Sequence, residues 1–146
     1  MNERYLFKGK RVDNGEWVEG LLTQIWGQLH IINPDDENTA YPIIPETIGQ
    51  CTGLRDKNGK LIFKDDVLKG FIYPFLSDEE HNYYAIVVWF EDSAAFGIYT
   101  IKKPESKVRG ISSGNTEYMS EWDSNNWEII GNIHDNPELL EVQPND

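Results

Sequence analysis

Apolar residues along this chain come in short alternating or unbroken runs separated by Asn-Gly, Gly and Pro, and no long stretch carries the helical period. Tyr5–Val12 is apolar at positions 5, 7 and 12 and ends at Asp13-Asn14-Gly15, directly before Glu16–Leu22. Asn-Gly supplies the positive φ angles of a tight hairpin, so two antiparallel strands are expected to meet there. A second reversal is expected at Gly27-Gln28, joining Leu21–Trp26 to Leu29–Ile32. Pro34-Asp35-Asp36-Glu37-Asn38 then reads as an acidic surface loop.

Pro34, Pro42 and Pro45 exclude a helix over Tyr41–Glu46. Gln50–Leu54 reads as a strand, followed by a hairpin turn at Arg55–Lys60. In that turn Asp56 can bond nearby backbone and Gly59 can adopt a left-handed conformation. Leu61–Phe63 returns as a strand, and Lys64-Asp65-Asp66 turns the chain into Val67–Lys69. Tyr83–Phe90 is apolar throughout, and its β-branched and aromatic residues favour a central strand covered on both faces. Glu91–Ala94 turns the chain back into Phe96–Ile101, and Trp127–Ile133 forms the last strand. Asn136-Pro137-Glu138 has the chemistry of a helix start: an N-cap, proline at the first position and an acid against the dipole. Between them, Lys102–Asn126 is long and polar, with one or two helical turns expected over Thr116–Trp122.

The fold expected is mainly β: antiparallel hairpins forming a small barrel or two packed β modules, with a short C-terminal helix. The length of 146 residues suits one domain, 1–146, with 1–54 and 55–146 as its natural sub-modules.

Composition narrows the function classes without selecting one. The chain is 39% hydrophobic, and five Trp, seven Tyr and six Phe make its apolar inventory strongly aromatic. That excludes a disordered chain. Lys plus Arg is 13 against 25 Asp plus Glu, a net charge of −12, which repels phosphate backbones on average. No apolar run is long enough to span a membrane, and Met1–Lys10 lacks the apolar core of a signal peptide. The single cysteine, Cys51, excludes an internal disulfide framework. Together these features lead to an expectation of a cytoplasmic protein.

Three stretches, Arg4–Gly20, Pro45–Lys60 and Ile129–Leu140, carry a recognisable pattern. Their most specific part runs Pro45-Glu46-Thr47-Ile48-Gly49-Gln50-Cys51-Thr52-Gly53-Leu54-Arg55-Asp56-Lys57-Asn58-Gly59-Lys60; the last ends Gly131-Asn132-Ile133-His134-Asp135-Asn136-Pro137. The chain resembles the YopX family of phage and prophage proteins over nearly its whole length. It departs from the family at Lys64-Asp65-Asp66, where Glu-Gly-Asp is more usual. The resemblance implies a mainly β or mixed fold and a mobile element in a bacterium, and it carries over no catalytic residue. Asn14-Gly15, Asn58-Gly59 and Asn136-Pro137 also read plainly as turn and cap chemistry.

The catalytic motifs fail in context. Gly110-Ile111-Ser112-Ser113-Gly114 matches a nucleophile elbow in letters, but charged Lys107-Val108-Arg109 precedes it and no βαβ series surrounds it. Gly53–Lys60 has the wrong spacing for a phosphate loop, and Leu61 stands where Ser or Thr would bind magnesium. Asp78-Glu79-Glu80-His81 reads as a solvated acidic loop rather than a metal site. His30 is expected half-buried within a strand and Cys51 as a buried thiol. His134 beside Asp135 is the one place where a carboxylate-oriented base is conceivable.

Lys102, Lys103, Lys107 and Arg109 gather four positive charges in eight residues and form the candidate partner-binding loop. The leading expectation is a non-enzymatic accessory protein acting through an unknown protein partner or its own kind, with no cofactor and no metal. A nucleic-acid-associated β-barrel and a small enzyme using His134 or His81 are the alternatives.

Overall fold

The computed structural model describes residues 3–71, 82–102, 116–119 and 127–141. The chain divides into two compact units, Met1–Gly53 and Leu54–Asp146. Both are built from antiparallel sheet, and among the described residues no sheet closes into a barrel.

In the first unit, strands β1 (Phe7–Lys10), β2 (Trp17–Ile25), β3 (Gln28–Asn33), β4 (Asp36–Pro42) and β5 (Gly49–Arg55) are hydrogen-bonded in the order β4-β3-β2-β1-β5. The β1–β2 turn is wider than a two-residue hairpin: Arg11 N donates to Glu16 O and Gly15 N to Arg11 O, both at 2.9 Å. Gly15 sits at φ +72°, as the Asn-Gly signal predicts. The core holds Ile31, Ile43 and Cys51, all fully buried. Thr47, in the 3₁₀ turn Pro45–Thr47, ties that turn to β1 by accepting a hydrogen bond from Lys10 N at 2.9 Å.

The second unit begins with the end of β5, followed by β6 (Leu61–Phe63). Its sheet of β7 (Asp66–Phe71), β8 (Asn82–Phe90), β9 (Ala95–Lys102), β10 (Thr116–Tyr118) and β11 (Trp127–Asn132) runs in the order β10-β9-β8-β7-β11. Period-two alternation on β8 puts Ala85 and Val87 into a core with Ile62, Leu68, Ile98 and Trp127. The unbroken apolar run of Tyr83–Phe90 does mark the central strand of its sheet. Its opposite face is only half-covered, however, with Tyr84, Ile86 and Val88 partly exposed.

Asp56 organises the hairpin after β5. Its Oδ1 accepts from Asn58 N and Lys60 N, each at 2.9 Å, and its Oδ2 accepts from Ile129 N on β11 at 3.0 Å. Gly59 completes the turn at φ +85°.

Several expectations need correction. The second reversal is at Trp26-Gly27, one residue earlier than expected, because Ile25 pairs with Gln28. The acidic loop shrinks to Pro34-Asp35, since Asp36 already pairs with Asn33. Thr116–Tyr118 is a strand against β9 rather than a helical turn, its backbone completing the sheet beyond β9. At the C-terminal end Pro137–Glu141 forms a 3₁₀ turn and no α-helix. The reason lies in Asn136, whose Oδ1 turns back to accept from Asn132 N at 3.2 Å instead of capping a helix. Gly131 permits this, because a Cβ there would collide with the Asn136 side chain.

Candidate functional site

The predicted partner-binding loop falls largely outside the described residues: Lys103, Lys107 and Arg109 are beyond them, and Lys102 is the last residue of β9. His81, the acidic run before it and the Gly110–Gly114 motif are outside them too.

Polar residues of the signature stretches, and Asp66 between them, hold backbone. Asp66 is buried and its Oδ2 accepts from Phe63 N at 2.8 Å. Asn132 Oδ1 accepts from both His134 N and Asp135 N at 2.9 Å, shaping the turn after β11. His134 does have a carboxylate partner, but it is Asp65, a residue distant in sequence: Nε2 lies 3.2 Å from Asp65 Oδ2. The other Asp65 oxygen, Oδ1, is 3.2 Å from Lys64 Nζ. Asp65 adopts φ +75°, the conformation a glycine accepts most readily, at the position where the family more often carries glycine. The sequence offered Asp135 as the partner for His134, whereas Asp135 Oδ2 takes the Asn132 side-chain amide at 3.3 Å. Lys64, Asp65 and His134 therefore pin the chain after β11 to the β6–β7 turn. Among the described residues, no group of three or more His, Cys, Asp or Glu is arranged to hold a metal ion.

His30 is half-buried in β3 with Nδ1 2.8 Å from Gln28 O, and Cys51 is fully buried.

A different feature stands out in the first unit. β1 pairs with β2 only as far as Gly20, and β4 pairs with β3 only from His30 onward, with Ile43 N bonded to Leu29 O. Leu21–Ile25 thus form an edge of β2 that β1 does not cover, whereas β4 flanks β3 at His30–Ile32, and only Gln24-Ile25 and Gln28-Leu29 run on as a two-stranded arm, about 7 Å long at the usual rise per residue. The Gln28 side chain, next to the turn, ties this end to the chain after β4 by donating to Ile43 O at 3.0 Å. Trp26 and Gly27 form its tip at φ +52° and +80°, the two positive values of a type I′ turn. Such turns favour Asn, Asp or Gly at the first central position, and tryptophan is sterically disfavoured there. The Trp26 side chain is 99% exposed, so no packing compensates. Ile25 on the arm and Leu21 on the uncovered edge of β2 are exposed as well. Gly20–Pro34 is the longest run in the chain without Asp, Glu, Lys or Arg, although 26% of all residues are charged. Sequence reading missed the arm; the signal available was the charge-free run with a tryptophan before its turn glycine.

A second basic cluster was also legible. Arg4, Lys8, Lys10 and Arg11 put four positive charges in eight residues along β1. Lys8 and Lys10 ammonium groups lie 4.9 and 5.5 Å from the Trp17 ring, and the Arg11 guanidinium lies 4.2 Å from that of Tyr41. Arg11 also donates to both Asp13 oxygens, and this hydrogen-bonded pairing holds the Asp13 carboxyl below its ordinary pKa.

Comparison with known proteins settles the family. The family described as YopX protein matches residues 10–141, spanning the arm, the second and third signature stretches and the first from residue 10 onward. The chain belongs to the YopX family. Among solved structures, this YopX protein is similar to protein EF1440 from Enterococcus faecalis, at 21% identity and a TM-score of 0.49, over 92% of this chain and 96% of that one. No curated protein matches it.

Proposed function

We propose that this YopX protein is a non-enzymatic accessory protein of a phage or prophage, acting in the bacterial cytoplasm through protein–protein contacts, with the β2–β3 arm as its docking element. The observation that carries this reading is Trp26: a fully exposed indole in a disfavoured backbone conformation at the end of a charge-free arm. Tryptophan is the residue type most enriched among the anchors of protein interfaces, whose centres are depleted of charge. The polar signature residues support the same view from the other side, because Asp56, Asn132 and Asn136 hold turns together.

A photo-crosslinking residue placed at position 26 of the full chain, expressed in a bacterial host, tests the proposal. The control position is Val12, which is 55% exposed on another turn. A discrete adduct from position 26 and none from position 12 is the expected result. No adduct from either, or equal adducts from both, would contradict it.

The basic run on β1 beside Trp17 and Tyr41 favours a second reading, contact with single-stranded nucleic acid through cationic and aromatic side chains. Gel shifts at low salt decide it. Absence of binding at micromolar protein removes this reading.

A further inference from the structure

We propose that the uncovered edge of β2 takes up an extended strand of a partner protein, which continues the lane of the sheet that β1 occupies only from Phe7 onward. This rests on the reading of the β2–β3 arm as a docking element and names the conformation in which the partner binds. The backbone phase of β2 follows from its turns. Trp26-Gly27 closes a two-residue hairpin, so Ile25 bonds Gln28 and, by alternation, Thr23 bonds His30 and Leu21 bonds Ile32. The bond from Arg11 N to Glu16 O fixes the same phase from the other end, with Glu16, Val18 and Gly20 turned toward β1. Gly20 meets Phe7 there, and the next groups in line are the N–H and C=O of Leu22 and Gln24. Among the described residues no strand pairs with them on that side.

Other strand edges of this chain are guarded, and this one is not. β4, outermost in the first unit, begins with Asp36, ends with Pro42 and carries a register shift against β3. Charge, proline and bulge are the devices by which exposed edges resist added strands. On β11 in the second unit, Lys57 N donates to Trp127 O and Asp56 Oδ2 accepts from Ile129 N, which occupies that edge. Leu21-Leu22-Thr23-Gln24-Ile25 has no charge, no proline and an unbroken register with β3. Its length, about 17 Å at strand rise, suits a peptide that joins a sheet edge through main-chain hydrogen bonds. Leu21, Thr23 and Ile25 share one face, and Leu21 and Ile25 are exposed on it. The strand that fits therefore carries apolar or β-branched residues at alternate positions to face them. Trp26 stands at the end of the lane as an exposed aromatic anchor. A second copy is disfavoured as the source, because chains at −12 repel one another.

The probe is a linear peptide selected on the full chain from a random library displayed on yeast, then synthesised. Its binding should slow amide hydrogen exchange at Leu22 and Gln24 by about tenfold or more, leaving Thr23, already bonded to His30, unchanged. Gln24→Pro removes one outward N–H at a position where an edge strand accepts proline, and should weaken binding by about tenfold or more while the variant still melts as a folded protein. N-methylation of alternate peptide amides, which leaves this chain untouched, should weaken binding as much in one phase and little in the other. Protection confined to other residues, binding indifferent to both Gln24→Pro and N-methylation, or failure to select any peptide would each overturn the proposal. Slowed exchange at Leu22 and Gln24 that grows with protein concentration without peptide would assign the edge to a second copy and overturn it too. The crosslinking experiment keeps this failure separate from that of the docking reading. An adduct from position 26 without protection of the edge sinks strand addition alone, whereas the absence of any adduct sinks the docking reading itself.

Discussion

Asp65 shows how one residue joins conformation to contact. A non-glycine residue in the left-handed region carries about 1–2 kcal/mol of strain, and here the carboxylate offsets it by bonding Lys64 and His134. Asp65→Ala keeps the strain and loses both contacts, so it should destabilise by about 1–3 kcal/mol. Asp65→Gly loses the contacts but also the strain, and should be less harmful than alanine by about 1 kcal/mol. Urea unfolding of the two variants checks the order; glycine proving worse would mean the turn tolerates a Cβ without strain. Asp13 makes an electrostatic prediction. Because Arg11 bonds its charged form, its carboxyl titrates below the ordinary value. The stabilisation from that pair is present above the ordinary carboxylate pKa and is lost as pH falls through the lowered one. Carboxyl NMR should show the Asp13 midpoint returning upward in Arg11→Ala; an unchanged midpoint would remove the pairing as its cause.

Individual elements were legible where turn chemistry is local. Gly59 at φ +85° and Gly15 at φ +72° sit where Asn-Gly signals placed them, because positive φ is a demand a sequence can display. The 3₁₀ turn at Pro137 was not legible as such, because Asn136 is diverted by β11, a strand whose distance from it only the fold sets. The pairing of His134 with Asp65 was hidden for the same reason, as the two are brought together by packing. Asp56 carries the largest local load, with three backbone donors on one carboxylate. Asp56→Ala should therefore cost about 1–3 kcal/mol, chiefly from the Ile129 N–H on β11 left without its acceptor, since the exposed Asn58 and Lys60 can turn to water. On β9, Thr100 is buried with no hydrogen-bond partner for its hydroxyl among the described residues. Thr100→Val should then be neutral or stabilising by up to about 1 kcal/mol, read as an unchanged or raised melting temperature; a clear loss would mean the hydroxyl is bonded. Val87 is fully buried on the central strand. Val87→Asp should leave no cooperative melting transition, because its carboxylate would be buried without a partner.

At the scale of the whole molecule, the signature stretches secure turns in both units, while the arm displays apolar surface that folding leaves exposed. The sequence pattern separates these roles poorly, since Leu21, Ile25 and Trp26 read as ordinary strand residues until the register shows that β1 leaves β2 uncovered beyond Gly20. The central claim is that Trp26 is carried for contact at some expense in stability, and Trp26→Asn tests it without knowledge of any partner. The substitution turns the tip into Asn-Gly, the favoured pair for a type I′ turn, and should stabilise the fold by about 0.5–1 kcal/mol. For a chain of this size that corresponds to a rise in melting temperature of about 1–4 °C. A fall in the melting temperature of monomeric protein would show that the indole is part of the packed structure, and would contradict the account.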